Sequence, residues 1–144
     1  MVAIRLRPVR LTVEVRRPCR RDEWELSWYR ERLADLTILD AAVTIVVDRT
    51  RFLAVPVPVP VPETGGRRGG YLIMTRRRTA QCLRDVLDGM AGFPDVRVVL
   101  PSTRAECHAV RWGDEPPGCW DDYGQGHFYG YRDQAIGQFV ADLL

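Results

Sequence analysis

Cys107, His108, Cys119 and His127 carry the side chains that nucleophilic or zinc chemistry needs. A thiol beside an imidazole is an activated nucleophile, but only where the two side chains meet. Neighbouring residues of a strand point to opposite faces, so Cys107 and His108 cannot pair with each other if they lie on one. A dyad would have to join Cys107 to His127, or Cys119 to His108, through the fold. The same four residues lack the C-x-x-C spacing of a structural zinc site, and a strand would split the first two ligands. No metal or cofactor is therefore expected. Asp114 with Glu115, and Asp121 with Asp122, are paired carboxylates of the kind used in acid-base work. Their setting, GDEPPGCWDDYGQG, is rich in chain breakers and reads as a loop with solvated acids.

Two further groups could bind rather than react. In GGRRGG (65–70) glycines flank Arg67 and Arg68, and Arg76, Arg77 and Arg78 follow immediately before a helical pattern. Glycines let backbone amides approach a ligand, and guanidinium groups bind phosphate in pairs of hydrogen bonds. Three arginines before a helix start oppose the helix dipole, a conflict that an anion would relieve. The expected ligand is a phosphate or a nucleic-acid backbone, although the G-x-x-x-x-G-K-[ST] phosphate loop is absent. The plainer reading is a flexible turn with solvated arginines. In GHFYGY (126–131) three aromatic side chains sit between glycines ahead of the last helix. Cys107, His108, Trp112, His127, Tyr129 and Tyr131 would line a small-molecule pocket if the loop folds back over the strand that carries Trp112. Such a pocket requires His108 and His127 to face each other across a concave cavity. Otherwise Phe128 and Tyr131 serve only to anchor the helix entry.

The elements that must position these groups follow from periodicity. Val9 to Val15 alternates apolar with polar, a half-buried strand. Asp22 and Glu25 resemble a capping box that opens a helix with Leu26, Tyr29, Leu33 and Leu36 on one face and Trp24 and Trp28 on another flank. Ala42–Val47 and Phe52–Val57 form a hairpin about a polar turn. The run VPVPVPVP (55–62) continues its second arm: the prolines delete amide donors on one lateral side only, as in a protected edge strand with an extended overhang. Tyr71–Thr75 is a strand, 79–91 a helix with Leu83, Val86, Leu87 and Met90 in one stripe, and 96–100 with 106–112 a second hairpin. A last helix over 133–144 presents Ile136, Phe139, Val140 and Leu143 to the core.

This order predicts an α+β fold, a mostly antiparallel sheet of about five to six strands with three helices packed on one face. A basic N-terminal arm and strand (1–21) precedes a single domain (22–144). At 144 residues and 46% hydrophobic the chain can build one core. Its 21 basic residues, all arginine, nearly balance 19 acidic ones, so net charge excludes no partner class. The start lacks the apolar core of a signal peptide and no stretch is long enough to span a membrane. A cytoplasmic protein with free thiols and no membrane partner is expected.

LADLTILDAAVTI, RRGGYL, GFPDVRV, CHAVRWG and HFYGYRDQAI together resemble a family of small actinobacterial, Streptomyces-type proteins of unknown function. The resemblance covers about Leu33 to Leu144. The usual members have serine where this chain has Arg132, and they lack the Val-Pro run. It implies a lineage and no activity. The residues themselves point to a binding or regulatory module acting through protein contacts, self-association or an anionic ligand, with an enzyme or small-molecule binder of secondary metabolism as the competing class.

Overall fold

A computed structural model of the chain describes residues 10–103 and 107–144; the first part of the expected basic arm (1–9) and Glu106 of the second hairpin lie outside the described residues. The fold is α+β. Among the described residues there are six strands: β1 (Val13–Arg16), β2 (Val43–Val47), β3 (Thr50–Ala54), β4 (Gly69–Met74), β5 (Arg97–Val99) and β6 (His108–Gly113). They form two antiparallel three-stranded sheets, β1-β2-β3 and β4-β6-β5, in place of the single sheet expected. The described residues also form four α-helices, α1 (Glu23–Arg32), α2 (Arg77–Leu87), α3 (Asp122–Phe128) and α4 (Asp133–Asp142), with 3-10 turns at Arg20–Asp22 and Leu36–Ala41 on either side of α1.

The helices do not share one face. Ile45 and Ala54 enter a main core with Val110, Trp112, Leu83 and Leu87, so α2 covers the inner faces of both sheets. Leu53, one residue from Ala54 and therefore on the opposite face, packs with Val55, Leu33, Leu26 and Tyr29 beneath α1. α3 leads onto the outer side of β4, where a β-carbon on Gly69 would lie 2.7 Å from the Phe128 ring. That contact explains why Gly69 and Gly70 belong to a strand and not to a free loop.

α1 stops at Arg32, earlier than its stripe suggested, because Leu33 turns into a bridge with Tyr131 and Leu36 lies exposed in the following 3-10 turn. α2 likewise ends at Leu87, two residues before the left-handed Gly89. α3 begins inside the loop expected over 113–126 and runs past it, capped by Asp121 Oδ1 accepting from the Gly124 amide at 2.9 Å. On α4 only Ile136 is buried; Phe139 is 56% exposed and Leu143 also faces out.

The Val-Pro run is not an edge strand. β3 ends at Ala54, opposite Val43 where β2 begins, and Val55, Pro56 and Val57 then pass through the interior. An irregular buried segment must satisfy each amide it carries, and proline carries none. Val57 N donates to Gly92 O at 2.9 Å, and Gly92 has room for no side chain against Pro56. Val55 O accepts from Trp112 Nε1 at 3.2 Å and from Arg67 Nη2 at 3.1 Å. Proline alternation here removes donors that a core crossing could not pair.

Arg67 is 4% exposed. Its other fork, Nη1, donates to Tyr129 O at 2.8 Å. One guanidinium thus ties the exit of β3 to the exit of α3, across a core that also contains Trp112. Burial works against its charge, and the hydroxyls of Tyr29, Tyr131 and Tyr129 lean the other way.

Asp22 makes the corresponding tie for β1. Its carboxylate is 2% exposed and does not cap α1. Oδ2 accepts from Arg16 Nη1 and from the Cys19 amide, both at 2.9 Å, and Oδ1 from Arg51 Nη1 at 2.9 Å. Burial alone would raise its pKa, but the Cys19 amide and the Arg16 guanidinium outweigh it and hold the carboxyl down to about 2, below the ordinary 3.8.

A group whose folded pKa is depressed stabilises above its unfolded pKa and loses that contribution as pH falls through the folded value. Between about pH 5 and pH 2 the chain should therefore lose on the order of 1 to 2 kcal/mol through Asp22. Urea titrations across that window measure it, and the loss should shrink in Asp22→Asn. For Arg67, replacement by lysine keeps a cation but not the fork, and should cost about 2 kcal/mol. Trp112→Phe leaves Val55 O its arginine donor and should cost about 1 kcal/mol. A reversed order in urea midpoints would remove Arg67 from its role as the tie.

Candidate ligand-binding site

The Tyr129–Arg132 segment is held from both sides. Ala34 N donates to Gly130 O at 2.9 Å and Arg132 N to Arg32 O at 2.8 Å, stitching it to the end of α1. Arg67 fixes it from beneath, and Gly130, at φ 80°, has its α-carbon so close to Arg67 that a β-carbon would lie 2.7 Å from Arg67 Cβ. Only glycine meets both conditions there.

This segment, α1, β4 and α4 enclose a cleft of about 260 Å3 lined by Trp28, Arg32, Tyr71, Tyr129, Tyr131 and Phe139, with Asp122 and Gln125 at its α3 side. The rings meet edge to face: Trp28 to Tyr131 at 5.7 Å and Tyr71 to Tyr129 at 5.2 Å between centroids. The Arg32 guanidinium stacks over Trp28 at 4.2 Å while Nη1 donates to Trp28 O. Burial raises the pKa of the Tyr129 and Tyr131 phenols, Tyr71 and Tyr29 respectively adding to it, and nearby Arg67 only partly opposes the effect. Both hydroxyls therefore stay protonated at neutral pH and can donate. Arg111 acts on Tyr129 from the next strand. The cleft is apolar in its walls and predominantly cationic around them.

Tyr129 and Tyr131, expected in a pocket, line this cleft; the other four residues of that expectation do not join them. Trp112 is 1% exposed in the main core. His108 pairs with Met74 at one end of β6, half-buried, with no partner for Nδ1 among the described residues. His127 lies on α3 beside the other end of the ladder, exposed, with Nε2 at 2.8 Å from Asp133 Oδ1. The two histidines do not face each other, because the length of β6, with four residues between Gly113 and His108, separates them. Cys107 is exposed ahead of β6, and all four cysteines are free thiols. Among the described residues no group of three His, Cys, Asp or Glu side chains converges to hold a metal.

The arginines also separate. Arg67 is buried, while Arg68 donates to Pro62 O and Glu63 O and closes the glycine loop. Arg76, Arg77 and Arg78 are exposed at the start of α2, beyond the far end of β4. At roughly 3.3 Å per strand residue, β4 holds the two groups well over 10 Å apart. Sequence reasoning missed Trp28, Arg32, Tyr71 and Phe139 as cleft residues. In sequence Trp28 lies on a flank of the first helical pattern and Tyr71 opens a strand pattern, but nothing local announces that α1 and β4 converge.

Among the described residues no helix is long and apolar enough to cross a membrane. No curated protein and no solved structure matches the chain. The model of a family of unknown function, DUF6302, matches residues 19–143, and the chain belongs to that family.

Proposed function

We propose that this member of a family of unknown function is a binding module that takes a flat, anionic ligand of one or two rings into the cleft between α1, β4 and α4. The observation that supports it is the ring set itself. Trp28, Tyr71, Tyr129 and Tyr131 surround a concave space, and Phe139 and Tyr71 are left 56% and 42% exposed at its mouth. Large side chains left half-exposed around a cavity mark ligand sites more often than isolated surface rings do.

The charge balance selects the ligand class. Arg32, Arg111 and the buried Arg67 surround the tyrosines, against Asp122 on the lining. A cationic ligand would meet the Arg32 guanidinium on the lining, with Arg67 and Arg111 behind the tyrosines. A carboxylate or sulfonate on a flat ring meets them favourably, with the ring on Tyr129 and Phe139 and the acid toward Arg32. The cavity of about 260 Å3 is at the small end for ligand pockets and limits the ring count. The property proposed is binding; no covalent step is assigned to the cleft.

Titration with 2-naphthoate, followed by amide chemical shifts, should give saturable changes at residues 28, 71, 129 and 131. Phe139→Ala should weaken binding about tenfold, and Arg32→Gln by a similar factor. Neutral naphthalene carboxamide should bind more weakly than the acid. Absence of saturable shifts at millimolar ligand, or equal affinity for acid and amide, would defeat the reading.

A further inference from the structure

The aromatic cleft is polarised between its two ends. From α3 and its C-terminal cap it takes Asp122, Gln125, Gly126 and Tyr129, which is the i, i+3, i+4, i+7 pattern of a single helix face. The side chain of Asp122 therefore stands on the face of α3 that is turned to the cleft. Asp121, its neighbour, is committed to the Gly124 amide, but the Asp122 carboxylate takes part in no hydrogen bond or ion pair among the described residues. Asp122 is also half-buried, so it is not simply a solvated surface acid. One turn on, Gln125 donates through Nε2 to Pro117 O at 3.3 Å, which leaves Oε1 as an acceptor. The α3 wall thus offers acceptors.

The α1 wall offers donors. Arg32 makes its hydrogen bonds, to Trp28 O and to Glu31, through Nη1 alone among the described residues, which leaves Nη2 and Nε for a ligand. Arg32 and Asp122 line one cavity of about 260 Å3 and yet form no ion pair with each other. Opposite charges that share an apolar cleft without closing on each other are spaced for something to lie between them.

We propose that Asp122 sets the specificity of the cleft: its ligand is a ring acid that also carries a hydroxyl or amine at the end away from the acid, and this donor bonds to the Asp122 carboxylate. The inference rests on the reading of the cleft as a ring-acid site and narrows the class of acid. A donor meeting a carboxylate makes a charge-assisted bond, roughly twice as strong as a neutral one. A ring with a bare C–H edge at that end would cover the carboxylate and give it no partner, a cost that rejects the plain acid.

The test titrates the full chain with 2-naphthoate, 6-hydroxy-2-naphthoate and 6-methoxy-2-naphthoate, followed by amide shifts at residues 28, 71, 129 and 131. The hydroxy acid should bind about tenfold more tightly than 2-naphthoate, and the methoxy acid, which has no donor, should gain nothing. In Asp122→Ala the hydroxyl advantage should vanish, while 2-naphthoate should bind about twofold more tightly because a like charge has left the wall. Equal affinity for 2-naphthoate and the hydroxy acid, or an advantage that survives in Asp122→Ala, overturns the role of Asp122 and leaves the ring-acid site standing. An advantage shared by the methoxy acid also overturns it, since the cleft would then be reading size. The comparison of hydroxy with methoxy acid needs no variant, so it decides even where Asp122→Ala fails to fold. No saturable shift with any of the three acids overturns the ring-acid reading, and the role of Asp122 with it.

Discussion

The chain must carry its backbone from one three-stranded sheet to another through an apolar interior, and the Arg67 guanidinium is the group that makes this crossing tolerable. A carbonyl left unpaired in a core costs about 1 to 3 kcal/mol, so an irregular segment crosses only where donors are waiting. Val55 O has two, Trp112 Nε1 and Arg67 Nη2, and Tyr129 O has the second arm of the same fork. The prolines at 56 and 58 reduce the demand by removing amides. Lysine could offer one point of charge at that position, whereas the planar fork reaches two carbonyls held 62 and 12 residues away in sequence.

The candidate site inherits its geometry from that tie. Tyr129 is fixed by its carbonyl, Gly130 by contact with Arg67, and Tyr131 by its bridge to Leu33, so a short irregular segment becomes as well held as a strand. Its rings then face Trp28 and Tyr71 across the aromatic cleft. Rigidity here is relevant to binding, because a ligand entering an ordered ring set pays little to arrange it. Asp22 plays the equivalent part at the other end of the molecule, where its two arginines hold β1 to β3 and to the turn before α1.

Local pattern made most of the elements legible. Alternation at Val13 and Val15, the β-branched run before Asp48, the leucine stripe of α2 and the paired strands around residues 97 and 111 all lie close to where periodicity put them. Partition into two sheets was not legible, because period two states which face a residue occupies and not which strand lies beside it. The alternation within β6 is legible for the same reason: Val110 and Trp112 are in the core and His108 is on their face, while Cys107 lies ahead of the strand. α3 was hidden by its glycines. Gly126 is buried because Ile136 packs where a side chain would be, a tertiary requirement that looks in sequence like a chain breaker.

Arg67 shows the deeper limit. Four glycines around two arginines read as a solvent loop, since composition carries no information about a neighbour 62 residues away. Yet Arg67 and Arg68 differ completely. Arg68 closes its own loop through Pro62 and Glu63, a local role, while Arg67 points inward because Gly69 and Gly70 let β4 approach Phe128 and Trp112 too closely for any side chain. The glycines that suggested flexibility are thus the condition for close packing, and close packing desolvates the arginine. Its charge is tolerated there because both arms of the fork donate to carbonyls and the hydroxyls of Tyr29, Tyr131 and Tyr129 lie beside it. The structural weight of the GGRRGG stretch therefore rests on the one arginine that composition would have placed in solvent.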